Sequence, residues 1–165
     1  MRLVPVPIRF LDEFPERVEL FVARAAESSL LTHASLQCLS SIQSIAMVVT
    51  GLMCGLDRYV VLASDLRHFH PAIETVVLSS FHRLRPPDIQ GSGYGIKSFE
   101  AGRWAFRNAT DFPDAVLKAV NLGDDADTAG AGCGDMERTW AMYDSEYKVD
   151  GGLNCAILRW FRLPI

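Results

Sequence analysis

The stretch LQCLSSIQSIAMVVTGLMCGL, residues 36–56, decides the fold class. Its Leu39, Ile42, Ile45, Val49, Leu52 and Met53 recur at steps of three and four residues, which places them on one face of a single α-helix. Immediately upstream, Thr32-His33-Ala34-Ser35 supplies the side-chain oxygens that cap such a helix. The same period runs through Val18, Phe21, Val22, Ala25 and Ala26, with Pro15 near the start of that helix. Downstream, a helix is expected around residues 73–84, stopped by Pro86-Pro87. Another bears Phe99, Ala101, Trp104, Ala105 and Phe106. A further one takes Asp111 as its cap and Pro113 in its first turn, and is expected to bury Phe112, Val116, Ala119 and Val120 before ending at Gly123. No stretch alternates apolar with polar residues over the length of a strand, and no segment repeats. The chain reads as all-α.

With 165 residues, 49% of them hydrophobic and 22% charged, the chain is large enough and apolar enough for one globular domain with a real core. A net charge of −4, with 16 basic residues spread out rather than clustered, gives no electrostatic case for nucleic acid or for an acidic membrane surface. Cys38, Cys54, Cys133 and Cys155 lack the C-x-x-C spacing of a metal or redox motif and read as reduced, mostly buried thiols. The apolar run of residues 45–56 is shorter than a bilayer-spanning helix, and the two prolines of MRLVPVP, residues 1–7, leave no signal-peptide core. An intracellular, cytoplasmic protein with no membrane association is expected. The opening residues read as an extended Pro-x-Pro segment, as if the chain began inside a domain.

Chemistry concentrates in two places. Asn121-Leu122-Gly123-Asp124-Asp125-Ala126-Asp127-Thr128 follows one helix and opens the next, so Asp125, Asp127 and Thr128 can aim two carboxylates and a hydroxyl at one point. Such hard oxygen donors select Mg²⁺ or Ca²⁺ rather than zinc. The same residues also suit an acidic helix cap, and the D-x-D pattern alone does not separate the two readings. Gly91-Ser92-Gly93-Tyr94-Gly95 is a glycine turn. It fails the dinucleotide fingerprint because position 96 is isoleucine and no strand precedes it. It is either a mobile linker or a turn whose glycines let a phosphate or sugar approach backbone N–H groups beside Tyr94. His68, His70 and His82 lie in an irregular region without a carboxylate partner and read as exposed side chains.

Together these pieces resemble the ADP-ribosylglycohydrolase family. Five segments carry the resemblance in order: residues 1–7 resemble the end of a glycine-rich segment running into M-R-x-x-P, and residues 27–35 an S-x-L-T-H turn. Gly91-Ser92-Gly93-Tyr94 resembles a G-S-G-Y substrate loop, residues 98–106 an S-L-E-A-A-L-W-A-F helix, and residues 119–128 an A-V-N-L-G-G-D-x-D-T turn in which Asp124 replaces a glycine.

The resemblance implies an ADP-ribosylglycohydrolase-like orthogonal helical bundle, incomplete here, over residues 1–130, with a divergent C-terminal tail over 131–165. It implies a Mg²⁺-dependent hydrolase that removes ADP-ribose from modified proteins or related conjugates by cutting an N- or O-glycosidic bond. Asp125, Asp127 and Thr128 stand where the family places ligands of two Mg²⁺ ions, with Asp125 and Asp127 in the catalytic role. Gly91, Ser92, Gly93, Tyr94, His33 and Gly123 stand where ADP-ribose is held. The family's Thr-Asp-Asp cluster has no counterpart in this sequence. Half a metal site implies weak Mg²⁺ binding and impaired turnover. The alternatives are a non-catalytic ADP-ribose-binding module and an inactive remnant that self-associates through uncovered core residues such as Ile42, Ile45 and Val49.

Overall fold

The computed structural model of the chain describes residues 3–63, 69–80 and 83–146. His68, His82, Cys155 and the part of the divergent tail from residue 147 onward lie outside the described residues. Every regular element among the described residues is helical: α1 Pro5–Arg9, a 3₁₀ turn Leu11–Glu13, α2 Val18–Ser29, α3 Leu36–Met53, α4 Arg58–Leu62, α5 Pro71–Thr75, a π-helical turn Val76–Ser80, α6 Gly95–Asn108, α7 Phe112–Val120 and α8 Ala126–Glu146.

Two sequence expectations change at the ends of these elements. The opening Pro-x-Pro segment is not extended. Pro5 sits at the first helical position, where a missing N–H costs nothing, and α1 follows. The helix expected over 73–84 begins earlier, at Pro71, because the His70 imidazole accepts from the Ala72 N–H at 3.2 Å and so caps it. It gives way to the π turn at Val76. The other caps fall as the sequence implies. Ser35 accepts from the Cys38 N–H at 3.2 Å to start α3, and Asp111 accepts from the Asp114 N–H at 2.9 Å to start α7.

Helix α3 is the axis of the bundle, packed against α2, α6 and α8. Its 18 residues, with a mean hydropathy of 1.5, are long and apolar enough to cross a membrane by length and composition, yet 56% of them are buried inside the bundle. Val49 is buried, and Ile42 and Ile45 are partly buried against the main core. The core joins Phe21 of α2, Val48 and Leu52 of α3, Leu62 of α4, Phe106 of α6 and Met136 of α8. Burial of that apolar surface is the main driving force for the fold. A satellite cluster of Ile73, Val76, Val77 and Phe99 seats α5 and the π turn on α6.

Helix α7 buries Ala119 as expected but differs at its bulkier residues. Phe112 and Val120 are exposed, and Ala115 and Ala119 are the fully buried residues. The reason lies in α8, where Cys133 Sγ approaches the Ala115 carbonyl to 3.5 Å. Small side chains at this crossing let the helices come close, which moves the bulky residues to the rim.

Buried charge ties the far ends together. Arg58 Nη2 donates to Glu137 Oε1 at 3.1 Å, and Arg58 Nη1 donates to the carbonyls of Phe106 and Ala109 at 2.9 Å each. The guanidinium stacks 3.7 Å from the Trp140 ring centroid. One arginine thus fixes α4, the end of α6 and α8 together, and burial pushes the Glu137 carboxyl above its usual range despite the arginine.

Candidate functional site

The acidic turn is built by backbone that an ordinary residue resists. After α7, Leu122 and Gly123 donate back to the carbonyls of Ala119 and Val120, and the chain then reverses through left-handed conformations at Gly123 (φ 79°) and Asp124 (φ 51°). Glycine takes the first at no steric cost. Aspartate is one of the few other residues that tolerates the second. The reversal delivers Asp125 to the residue before α8 and Asp127 to its first turn.

There the side chains converge. Thr128 Oγ1 donates to Asp125 Oδ1 at 3.0 Å, and Asp127 Oδ1 accepts from the Thr128 N–H at 2.8 Å. A hydrogen bond between the two carboxylates raises Asp125 above the usual carboxylate range and lowers Asp127 below it. Two acids held that close concentrate negative charge at the positive end of α8. The donor set is oxygen only and fits one face of a hard cation such as Mg²⁺. No cluster of three or more His, Cys, Asp or Glu that could hold a metal gathers among the described residues.

The glycine turn lies directly against this point. Gly91 is buried, and a Cβ placed on it would stand 2.5 Å from the Gly123 carbonyl oxygen. Only glycine allows the two segments to touch in this way. A Cβ on Gly93 would lie 4.0 Å from Asp125 Oδ2, so the middle of the turn passes beside the acidic pair. The turn is internally braced. The Tyr94 N–H donates to Ser92 Oγ at 3.2 Å, and the Ser98 hydroxyl donates to the Ser92 carbonyl. Tyr94 stays half-exposed while its hydroxyl donates to Gln37 Oε1 at 2.7 Å.

Gly91, Ser92, Gly93, Tyr94, Gly123, Asp125, Asp127 and Thr128 therefore form one contiguous surface. His33 stands apart. It is exposed in the turn between α2 and α3, held through its backbone to Ser29, and no hydrogen bond or ion pair links its imidazole to another described residue. Sequence reasoning missed Gln37 and Ser98, the two residues that hold the glycine turn from α3 and α6. Gln37 carries no motif signal; Ser98 lay inside a recognised helix but had no role until the turn's geometry was visible.

An all-helical bundle with an acidic turn seated on a glycine loop defines a class shared with solved structures. A structure described as an ADP-ribosylglycohydrolase-related protein complex superposes with a TM-score of 0.68 at 28% identity, covering 84% of this chain and 47% of that one. The family model described as ADP-ribosylglycohydrolase matches residues 1–136, and the chain belongs to that family. Curated relatives include the ADP-ribosylarginine hydrolase Tri1 of Serratia proteamaculans (strain 568), 29% identical over 114 residues, and that of Pseudomonas putida (strain GB-1), 31% identical over 108 residues. The matched segments are 69% and 66% of this chain but only 31% and 29% of those relatives, so the chain spans less than a third of their length.

Proposed function

We propose that this chain carries the ADP-ribose-binding face of a Mg²⁺-dependent hydrolase that releases ADP-ribose from a modified arginine or a related N- or O-linked conjugate. The observation that carries this reading is the contact of Gly91 with the Gly123 carbonyl, which makes the glycine loop and the acidic turn one site. The relatives named as ADP-ribosylarginine hydrolases support the choice of conjugate.

Each residue has work suited to its chemistry. The loop of Gly91, Ser92 and Gly93 lets a phosphate or ribose approach backbone N–H groups without side-chain obstruction. Tyr94 offers a half-exposed ring and a hydroxyl beside that path. Asp125, Asp127 and Thr128 would hold Mg²⁺, which when bound anchors ribose hydroxyls and stabilises charge as the anomeric bond opens.

A second reading is favoured by one observation. The loop is fully formed, whereas the acidic set stops at two carboxylates among the described residues. A hard cation gains affinity from several converging ligands, so the chain by itself would bind ADP-ribose and turn over conjugates poorly. Release of ADP-ribose from an arginine-modified protein, measured with Mg²⁺ and with EDTA, tests both readings. EDTA-sensitive turnover supports the hydrolase, and metal-independent binding without turnover supports a binding module.

A further inference from the structure

We infer that Gln37 is a positioning residue that holds the glycine loop over the acidic turn, an assignment that rests on reading this loop as the ADP-ribose site. Its amide oxygen accepts from the Tyr94 hydroxyl at 2.7 Å and ties the loop to α3 across 57 residues of sequence.

Gln37 stands on a firm base. It lies in the first turn of α3, where Ser35 caps the helix through the Cys38 N–H, and its carbonyl accepts from the Ser41 hydroxyl at 2.9 Å. Tyr94 in turn sets the start of α6, because its carbonyl accepts from the N–H groups of Lys97 at 2.8 Å and Ser98 at 3.2 Å. Next to it, a Cβ on Gly95 would lie 3.3 Å from Cys38 Sγ, so the end of the loop abuts the residue that follows Gln37. The other end is seated on Gly123 through Gly91. The loop is thus clamped at both ends, with Ser92 and Gly93 spanning the gap beside Asp125. The Gln37–Tyr94 bond is exposed, and an exposed hydrogen bond adds little to global stability. Its consequence is local: it fixes where the Tyr94 ring and the adjoining N–H groups stand when a ligand arrives.

The test is hydrogen–deuterium exchange on the ligand-free chain, comparing residues 91–98 with α7 as an internal reference, alongside calorimetry with ADP-ribose. Gln37→Ala and Tyr94→Phe are each expected to speed exchange over 91–98 about fivefold, the worth of one such bond, and to leave α7 unchanged. Combining them should add nothing further. Gln37→Glu keeps an acceptor oxygen and should restore protection; this rescue is read in exchange, since the added charge opposes an anionic ligand. ADP-ribose binding should weaken by a similar factor in Gln37→Ala. Unchanged exchange in Gln37→Ala, additive effects in the double variant, or no rescue by Gln37→Glu overturns the assignment. If the wild-type chain binds no ADP-ribose, the reading of the site fails, and the exchange pattern still decides whether Gln37 holds the loop.

Discussion

Gly91 and the carbonyl of Gly123 are in backbone contact, so close that a single added carbon on Gly91 would stand 2.5 Å from the Gly123 oxygen. Thirty-two positions apart in sequence, these glycines join the glycine loop to the acidic turn.

Gly91→Ala should therefore part the loop from the turn. Because the obstructing atom is backbone, relief needs a main-chain shift, with a stability loss of about 1–3 kcal/mol by chemical denaturation. Gly93→Ala meets only the Asp125 carboxylate at 4.0 Å, and should stay within about 0.5 kcal/mol of wild type. Equal losses for the two variants would contradict the contact.

Asp124 pays the strain of a left-handed backbone where the family motif has glycine. Asp124→Gly should raise stability by about 0.5–1 kcal/mol, the relief of a left-handed conformation less the extra freedom glycine brings to the unfolded chain. Gly123→Ala, at φ 79°, should lower it by about 1 kcal/mol although no neighbouring atom obstructs the new methyl group. Urea titration measures both.

Glu137 gives a pH signature with a definite sign. Burial raises its folded-state pKa above the ordinary 4.5, so the native state keeps a proton that the unfolded chain has lost. Its contribution is fully present at low pH and is lost as pH rises through the folded pKa. Stability of Glu137→Gln relative to wild type should accordingly climb with pH above about 4.5 and level off once wild-type Glu137 is ionised. Glu137→Ala strips Arg58 of its carboxylate and should cost about 3–5 kcal/mol at neutral pH. A flat difference for Glu137→Gln between pH 4 and pH 7 would contradict the assignment.

Asp127→Asn removes one of the two carboxylates while keeping a side chain of the same shape. Any strengthening of ADP-ribose binding by Mg²⁺ should fall by about tenfold, with binding in EDTA little changed. Calorimetry with and without Mg²⁺ reads this directly, and an undiminished Mg²⁺ effect would remove Asp127 from the site.

What the sequence revealed was local. The helices α3 and α7 announce themselves through apolar period and capping side chains, and α6 through its apolar residues alone, because these signals depend on residues within a few positions of each other. The acidic turn and the glycine loop were legible for the same reason, since glycines and paired aspartates at a helix mouth carry their geometry with them. Pairings across long separations left no local pattern: Arg58 meets Glu137 across 79 residues, and Tyr94 meets Gln37 across 57. On α7 the burial of Ala119 is legible but that of Ala115 is not, because the period of its own side chains cannot show that Cys133 of α8 packs against the Ala115 carbonyl.

The Gly91–Gly123 contact is proposed to create an ADP-ribose site. Calorimetric titration of the chain and its Gly91→Ala variant with ADP-ribose, in the presence of Mg²⁺, tests it most directly. Saturable binding by the wild-type chain is expected, weakened at least tenfold in the variant, which corresponds to about 1.4 kcal/mol. No saturable binding by the wild type, or equal affinity in the two proteins, would contradict it.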